Sequence, residues 1–299
     1  MSLEKEGLSL FEAARAMGVS FSQEVVPQGK YVIANGLKFH YLDWGTEGKQ
    51  PILFLHGALQ QGHSWDFVAL PLCIDYHVLA LDARGHGESQ WASDSDYSLE
   101  AHQRDLDGFV EALGLEQFIL VGHSMGGRNG YVFTARHPEK VKALVIVDTG
   151  PQMRSQGETR IRQFRELPDE LDSYQEFATR VQEYTGRSRE QVLGALKHSI
   201  RQRPDGKWTW KYDRLLRTPG FRPGSWPPER LWECLTNIHC PTLIIRGSQS
   251  DIFAPEVMER MLQVMPQSTS AVVPRAGHLV AGDNPAGFMK ALRPLLDRI

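Results

Sequence analysis

The feature that most constrains this chain is a series of short apolar runs with no polar face. "PILFLHG" (51–57), "HVLALDARG" (77–85), "FILVGHS" (118–124), "ALVIVDTG" (143–150) and "TLIIRGS" (242–248) are apolar at successive positions and end in small or polar residues. Strands of this kind are buried on both sides and belong inside a parallel sheet covered by helices. Segments of helix length lie between them. In "SLEAHQRDLDGFVEALG", Ser98 is placed to cap a helix whose apolar stripe is Leu99, Leu106, Phe109, Val110 and Leu113. Alternating strands and helices specify an α/β sheet with right-handed crossovers. Ahead of the series, "YVIANGLKFHYLDWG" (31–45) reads as a hairpin, because Asn35-Gly36 accepts the positive φ angles of a type I′ turn.

The rhythm breaks after Pro151. From there to about Cys234 the chain is strand-poor and holds Trp208, Trp210, Trp226 and Trp232, four of its seven tryptophans. This reads as a helical cap over 151–236, inserted into an α/β core made of 31–150 and 237–299, with residues 1–30 as a helical extension. The cap carries 16 Lys+Arg against 12 Asp+Glu, in a chain of 299 residues whose net charge is -3. Cap and body therefore attract each other, while most of the arginines are expected on solvated helix faces. Charge is otherwise mixed along the sequence, which argues against nucleic acid and for a small-molecule partner. Cys73, Cys234 and Cys240 lack C-x-x-C spacing and fit isolated thiols in a reducing compartment. The amino terminus shows no signal-peptide pattern, and no apolar run reaches the roughly 18 to 20 residues of a membrane span. A cytoplasmic monomer or homodimer is expected.

One pattern carries chemistry. "LVGHSMGG" (120–127) sets Ser124 between Gly122 and Gly126, at the end of an expected buried strand and before the helix-compatible "RNGYVFTARHP". A sharp strand-to-helix turn brings backbones almost into contact, and glycine removes the clashing Cβ atoms. The serine at its tip is exposed and near the positive end of the helix dipole, the posture of a nucleophile. Outside this setting, the same pentamer would be an ordinary glycine-rich turn.

A serine nucleophile needs a base and a carboxylate to orient that base. Among eleven histidines, His278 stands out, since "VVPRAGHLVAGDNP" places it in a loop after the last strand-like run and before the final helix. His123 adjoins the serine and points elsewhere at such a turn. His56 and His86 sit in loop-building stretches, and the remaining seven have no motif around them. "IIRGSQSDIFAP" puts Asp251 just past a strand end, and "VIVDTGP" does the same for Asp148. Strand tips converge at one edge of a parallel sheet, where such residues can meet.

Taken in order, "LHGA", "LDARGHGES", "GHSMGG", "GSQSDIFAP" and "GHLVAGDNP" make the chain resemble the α/β-hydrolase superfamily, in the branch with a helical cap after the sixth strand. The likeness runs from about Tyr31 to the end and implies a mostly parallel sheet of about eight strands flanked by helices. The family order of nucleophile, acid and base implies Ser124, Asp251 and His278. Some members take the acid from the earlier strand, which here would be Asp148, and the spacing from Gly247 to Asp251 is one residue longer than the commonest version. The resemblance also implies an oxyanion hole from the backbone N–H groups of Ala58 and Met125, and a structural role for Asp82 and Arg84.

Serine at position 124 excludes the aspartate-nucleophile dehalogenases and epoxide hydrolases of this fold. Leu279 departs from the tryptophan that commonly follows the histidine in the carbon-carbon hydrolases. The expected activity is hydrolysis of carboxylic esters of small to medium hydrophobic acyl groups, without metal or organic cofactor. A carbon-carbon or lactone hydrolase and a ligand receptor with slow turnover are the alternatives. Trp208, Trp210 and Tyr212, at alternating positions, are candidates to line the acyl pocket or to form the cap's core, and Trp65 in "HSWDF" is a candidate for the mouth.

Overall fold

The computed structural model describes residues 8–299, the side chain at position 158 excepted. The expected extension over 1–30 therefore lies partly outside the described residues. Its described part holds α1 (Leu10–Ala16), started by a capping box between Ser9 and Glu12.

Eight strands form one sheet in the order β1-β2-β4-β3-β5-β6-β10-β11. The first pair, β1 (Gln28–Ala34) and β2 (Leu37–Asp43), is the expected hairpin, opened three residues earlier than the sequence suggests. Asn35 and Gly36 have φ of 46° and 75°, as a type I′ turn requires. β2 runs antiparallel to β4 (His77–Leu81). Then β3 (Pro51–Leu55), β5 (Phe118–His123), β6 (Val141–Val147), β10 (Thr242–Gly247) and β11 (Ser268–Val273) continue in parallel.

Both faces of the central strands β3, β4, β5, β6 and β10 are buried, with successive side chains entering opposite cores as the pleat demands, while the edge strands β1 and β11 are partly exposed. Ile52, Phe54, Ile119 and Val121 point into a core completed by α2 (Asp66–Leu72) and α11 (Pro285–Leu296). Leu53, Leu55, Leu120 and Leu144 point into a second core, with α3 (Leu99–Ala112), α4 (Met125–Arg136), α8 (Pro228–Thr236) and α9 (Pro255–Val264). Ser98 caps α3 as anticipated, accepting from the Ala101 N–H.

The inserted segment differs from the expectation in two respects. Besides α5 (Ser155–Glu166), α6 (Tyr174–Thr185) and α7 (Arg189–Leu196), it contains a small antiparallel sheet, ordered β7 (Glu170–Leu171), β9 (Trp208–Trp210) and β8 (Ile200–Gln202). The alternation in "WTW" is thus a strand. Its far end also packs elsewhere: Leu231, Trp232 and Leu235 of α8 are buried in the body's second core, so the insertion's own packing ends before Pro228. Upstream, Leu171, Tyr174, Phe177, Val192, Leu196, Ile200, Trp210 and Tyr212 form a separate core.

This overturns the pocket expectations. Trp210 and Tyr212 are stacked at 5.5 Å inside that core, and Trp208 packs edge-on against Tyr174. Trp65 is 1% exposed and wedged between Phe54 and Phe288 in the body, away from any mouth. Aromatic groups of this size are drawn into cores by the area they bury.

Candidate active site

Five strand ends on the carboxyl edge of the sheet supply the site: the loops after β3, β5, β6, β10 and β11. Ser124 joins β5 to α4 with φ 52° and ψ -114°, a conformation that costs a non-glycine residue on the order of 1–3 kcal/mol. The flanking glycines do not carry this strain. They permit contact: a Cβ on Gly122 would lie 2.3 Å from the Gly126 carbonyl oxygen, and one on Gly126 would lie 2.3 Å from that of Leu55. Both obstacles are backbone and cannot rotate away. Gly126→Ala is accordingly expected to destabilise the fold by about 3 kcal/mol, at the upper end of the cost of overpacking, read as a lowered urea midpoint. An unchanged midpoint would contradict the tight elbow.

His278, in the loop between β11 and α10 (Val280–Asp283), reaches Ser124. Its Nε2 lies 3.0 Å from the Ser124 Oγ and its Nδ1 lies 2.9 Å from Oδ2 of Asp148. With Nδ1–H donating to the carboxylate, Nε2 is left as the acceptor for the serine hydroxyl. The expected pairing of His278 with Asp251 is corrected here, and the open choice falls on Asp148.

The reason lies in the loop after β10. Ser250, one residue before Asp251, turns inward and donates its hydroxyl to Asp148 Oδ2 at 2.6 Å, while the Gly247 N–H donates to Oδ1 at 2.9 Å. The Ile252 and Phe253 N–H groups both donate back to the Ser250 oxygen, fixing the turn. Asp251 is carried to the other side, where its carboxylate meets Arg160 of α5 at 3.5 Å. Asp148 is fully buried at the end of β6, with φ 51°.

Around the serine, backbone donors are unevenly used. The Gly126 N–H donates to the His56 carbonyl, the Gln60 N–H to that of Gly57, and the Gly57 N–H to the Gln60 side chain. Among the described residues, the N–H groups of Ala58 and Met125 have no protein acceptor. Met125 opens α4, whose first N–H groups point out of the helix.

His123, beside the serine, points away from it as expected, but it is not idle. Its Nε2 donates to the His278 carbonyl at 2.8 Å, and its Nδ1 lies 2.9 Å from the side-chain amide of Gln60. Burial, and then the neighbouring His278, holds its pKa well below the usual histidine value. It ties the loop after β3 to the loop bearing His278, a connection that sequence reasoning missed because nothing in the spacing signals it.

"LDARGHGES" builds loop architecture. Asp82 accepts from His40 and from the Gly62 and Glu88 N–H groups, and Arg84 forms a buried two-point pair with Asp105. His56 accepts from the Ala83 N–H. His86 is fully enclosed, and burial pushes its pKa down to about 3. The unfolded chain binds this proton near pH 6.5 and the folded chain does not, so stability is lost as pH falls through that window. From pH 7.5 to pH 5, His86 alone is expected to remove about 2 kcal/mol, measured as the urea unfolding free energy at the two values. Equal stabilities would contradict a buried neutral His86.

A cleft of about 550 Å³ lies where the insertion meets the body, lined by Arg160, Tyr184 and Arg187 on one side and by Asp251, Arg275 and His278 on the other. Arg187 is paired with Asp283 at 2.9 Å. Arg275 has no carboxylate partner among the described residues.

Comparison with known proteins agrees with this architecture. The chain is 29% identical over 284 residues to the 3-hydroxybutyrate-oligomer hydrolase of Cupriavidus necator, covering 90% of this chain and 94% of that protein. It is 26% identical over 283 residues to the N-formylmaleamate deformylase of Pseudomonas putida, covering 90% and 96%. The crystal structure of an esterase from Mycobacterium tuberculosis superposes with a TM-score of 0.78 at 26% identity, over 96% of each chain. A model of the α/β hydrolase fold matches residues 50–285, and the chain belongs to that family.

Proposed function

We propose that the protein is a serine hydrolase of carboxylic esters. The observation that carries this reading is the position of His278, within hydrogen-bond distance of both Ser124 Oγ and the buried Asp148. Ser124 attacks the acyl carbon as His278 takes its proton. His278 then returns that proton to the leaving alcohol, and water, activated by the same imidazole, releases the acid. Asp148 orients His278 and stabilises its charged form. The free N–H groups of Ala58 and Met125 are the donors for the oxyanion, each worth about 3 to 4 kcal/mol in the transition state.

The cleft beside His278 supports a substrate of small to medium size. Of the three arginines that line it, Arg160 and Arg187 are paired with Asp251 and Asp283, and Arg275, which has no carboxylate partner among the described residues, favours acids that carry a second, free carboxylate; the name of the Cupriavidus relative, an oligomer hydrolase for a hydroxy acid, is in keeping with such a product. Turnover of p-nitrophenyl esters from acetate to decanoate tests the reaction. Rapid turnover with a preference for short chains is expected. No turnover on any ester by folded protein would sink the ester reading in favour of a carbon-carbon or lactone substrate, or of a receptor.

A further inference from the structure

Away from Ser124, two histidines from different parts of the fold meet face to face. His63 stands in the 3-10 turn Gly62–Trp65, just after the loop that carries Ala58, and His198 follows α7 in the insertion. Their rings are 3.6 Å apart at 21°. Asp66, at the start of α2, places Oδ2 2.9 Å from His63 Nδ1. Donor atoms of all three side chains lie within 4.8 Å of one another.

Packing alone does not account for this cluster. Asp66 is only 9% exposed, and its Oδ1 is buried without a hydrogen-bond partner. A buried carboxylate oxygen left unpaired is costly. Among the described residues, neither ring nitrogen of His198 has a hydrogen-bond partner. The nearby cation, Lys211, is already paired with Glu88. The cluster thus offers one carboxylate and two imidazoles with donor capacity to spare.

We propose that His63, Asp66 and His198 form a binding site for a divalent transition-metal ion, with zinc the best match. Two borderline imidazole nitrogens with one hard carboxylate oxygen make a set that suits Zn²⁺ better than the all-oxygen-seeking Mg²⁺ or Ca²⁺. Chelation draws the two rings out of their stack by side-chain rotation and joins the insertion to the turn after β3. The site is independent of the reaction proposed for Ser124, because its ligands are all outside that constellation.

The test is titration of the chelator-stripped protein with Zn²⁺ by calorimetry, and with Co²⁺ by visible absorption, alongside His198→Ala and Asp66→Asn. The expected result is one ion per chain, with a Co²⁺ spectrum of low coordination number. Affinity should be weakened more than about 100-fold in each variant, beyond the effect of losing an outer-shell partner. Circular dichroism establishes that the variants are folded, and His198→Ala, at the surface of contact between insertion and body, should keep its basal ester turnover. Binding of equal strength in wild type and His198→Ala, as the free cysteines or surface histidines would give, overturns the proposal. So does the absence of binding at millimolar Zn²⁺.

Discussion

Asp148→Asn is expected to lower kcat by about 10⁴-fold, whereas Asp251→Asn changes it less than about threefold. An amide at position 148 presents its NH₂ or its oxygen to His278 with no negative charge. The imidazole then loses both the partner that fixes its tautomer and the charge that stabilises it when protonated. Asp251 faces Arg160 across a solvent-accessible cleft, where an ion pair of this kind is worth about 0 to 1 kcal/mol. Steady-state kinetics on one p-nitrophenyl ester, with circular dichroism on each variant, gives the comparison directly. A large loss in Asp251→Asn with little in Asp148→Asn would reverse the assignment. Ser250→Ala, which removes one hydrogen bond to Asp148, should fall between the two.

The second large effect is that of Ser124→Ala, expected to reduce kcat/KM by about 10⁴-fold or more while leaving the fold intact. The backbone strain at Ser124 is unrelated to its hydroxyl, and the glycines that make the turn possible remain. Alanine tolerates the positive φ no worse than serine does, so the variant should unfold at nearly the wild-type midpoint. Loss of the hydroxyl removes the atom proposed to be acylated but leaves the free N–H groups of Ala58 and Met125. Substrate should therefore still bind, with KM changed far less than kcat. Undiminished turnover in this variant would place the chemistry elsewhere.

Much of the architecture was legible because it depends on local patterns. Five runs apolar on both faces became β3, β4, β5, β6 and β10, and Asn35-Gly36 became the turn it resembled. The serine elbow could be read from two glycines and its place between strand and helix. The partner of His278 was harder, because two aspartates stand at neighbouring strand ends and the spacing alone allows either. What decides between them is the inward turn of Ser250, a three-dimensional choice held by hydrogen bonds from Ile252 and Phe253. The tryptophans misled for a related reason. Alternation in "WTW" shows that two rings share a face, but not whether that face meets a ligand or other side chains. In the insertion it meets Phe177 and Tyr174, and the rings fill a core. His63 and His198 are 135 positions apart and gave no signal at all.

If acyl transfer runs through the oxygen of Ser124, as proposed, a serine-directed fluorophosphonate must label that residue, and peptide mass spectrometry of the treated protein locates the label. One phosphonyl group per chain is expected, carried by the peptide that contains Ser124, with ester turnover lost in proportion to labelling and no label in Ser124→Ala. Full turnover by protein that takes up no label, or a label on another residue that accompanies the loss of activity, would contradict it.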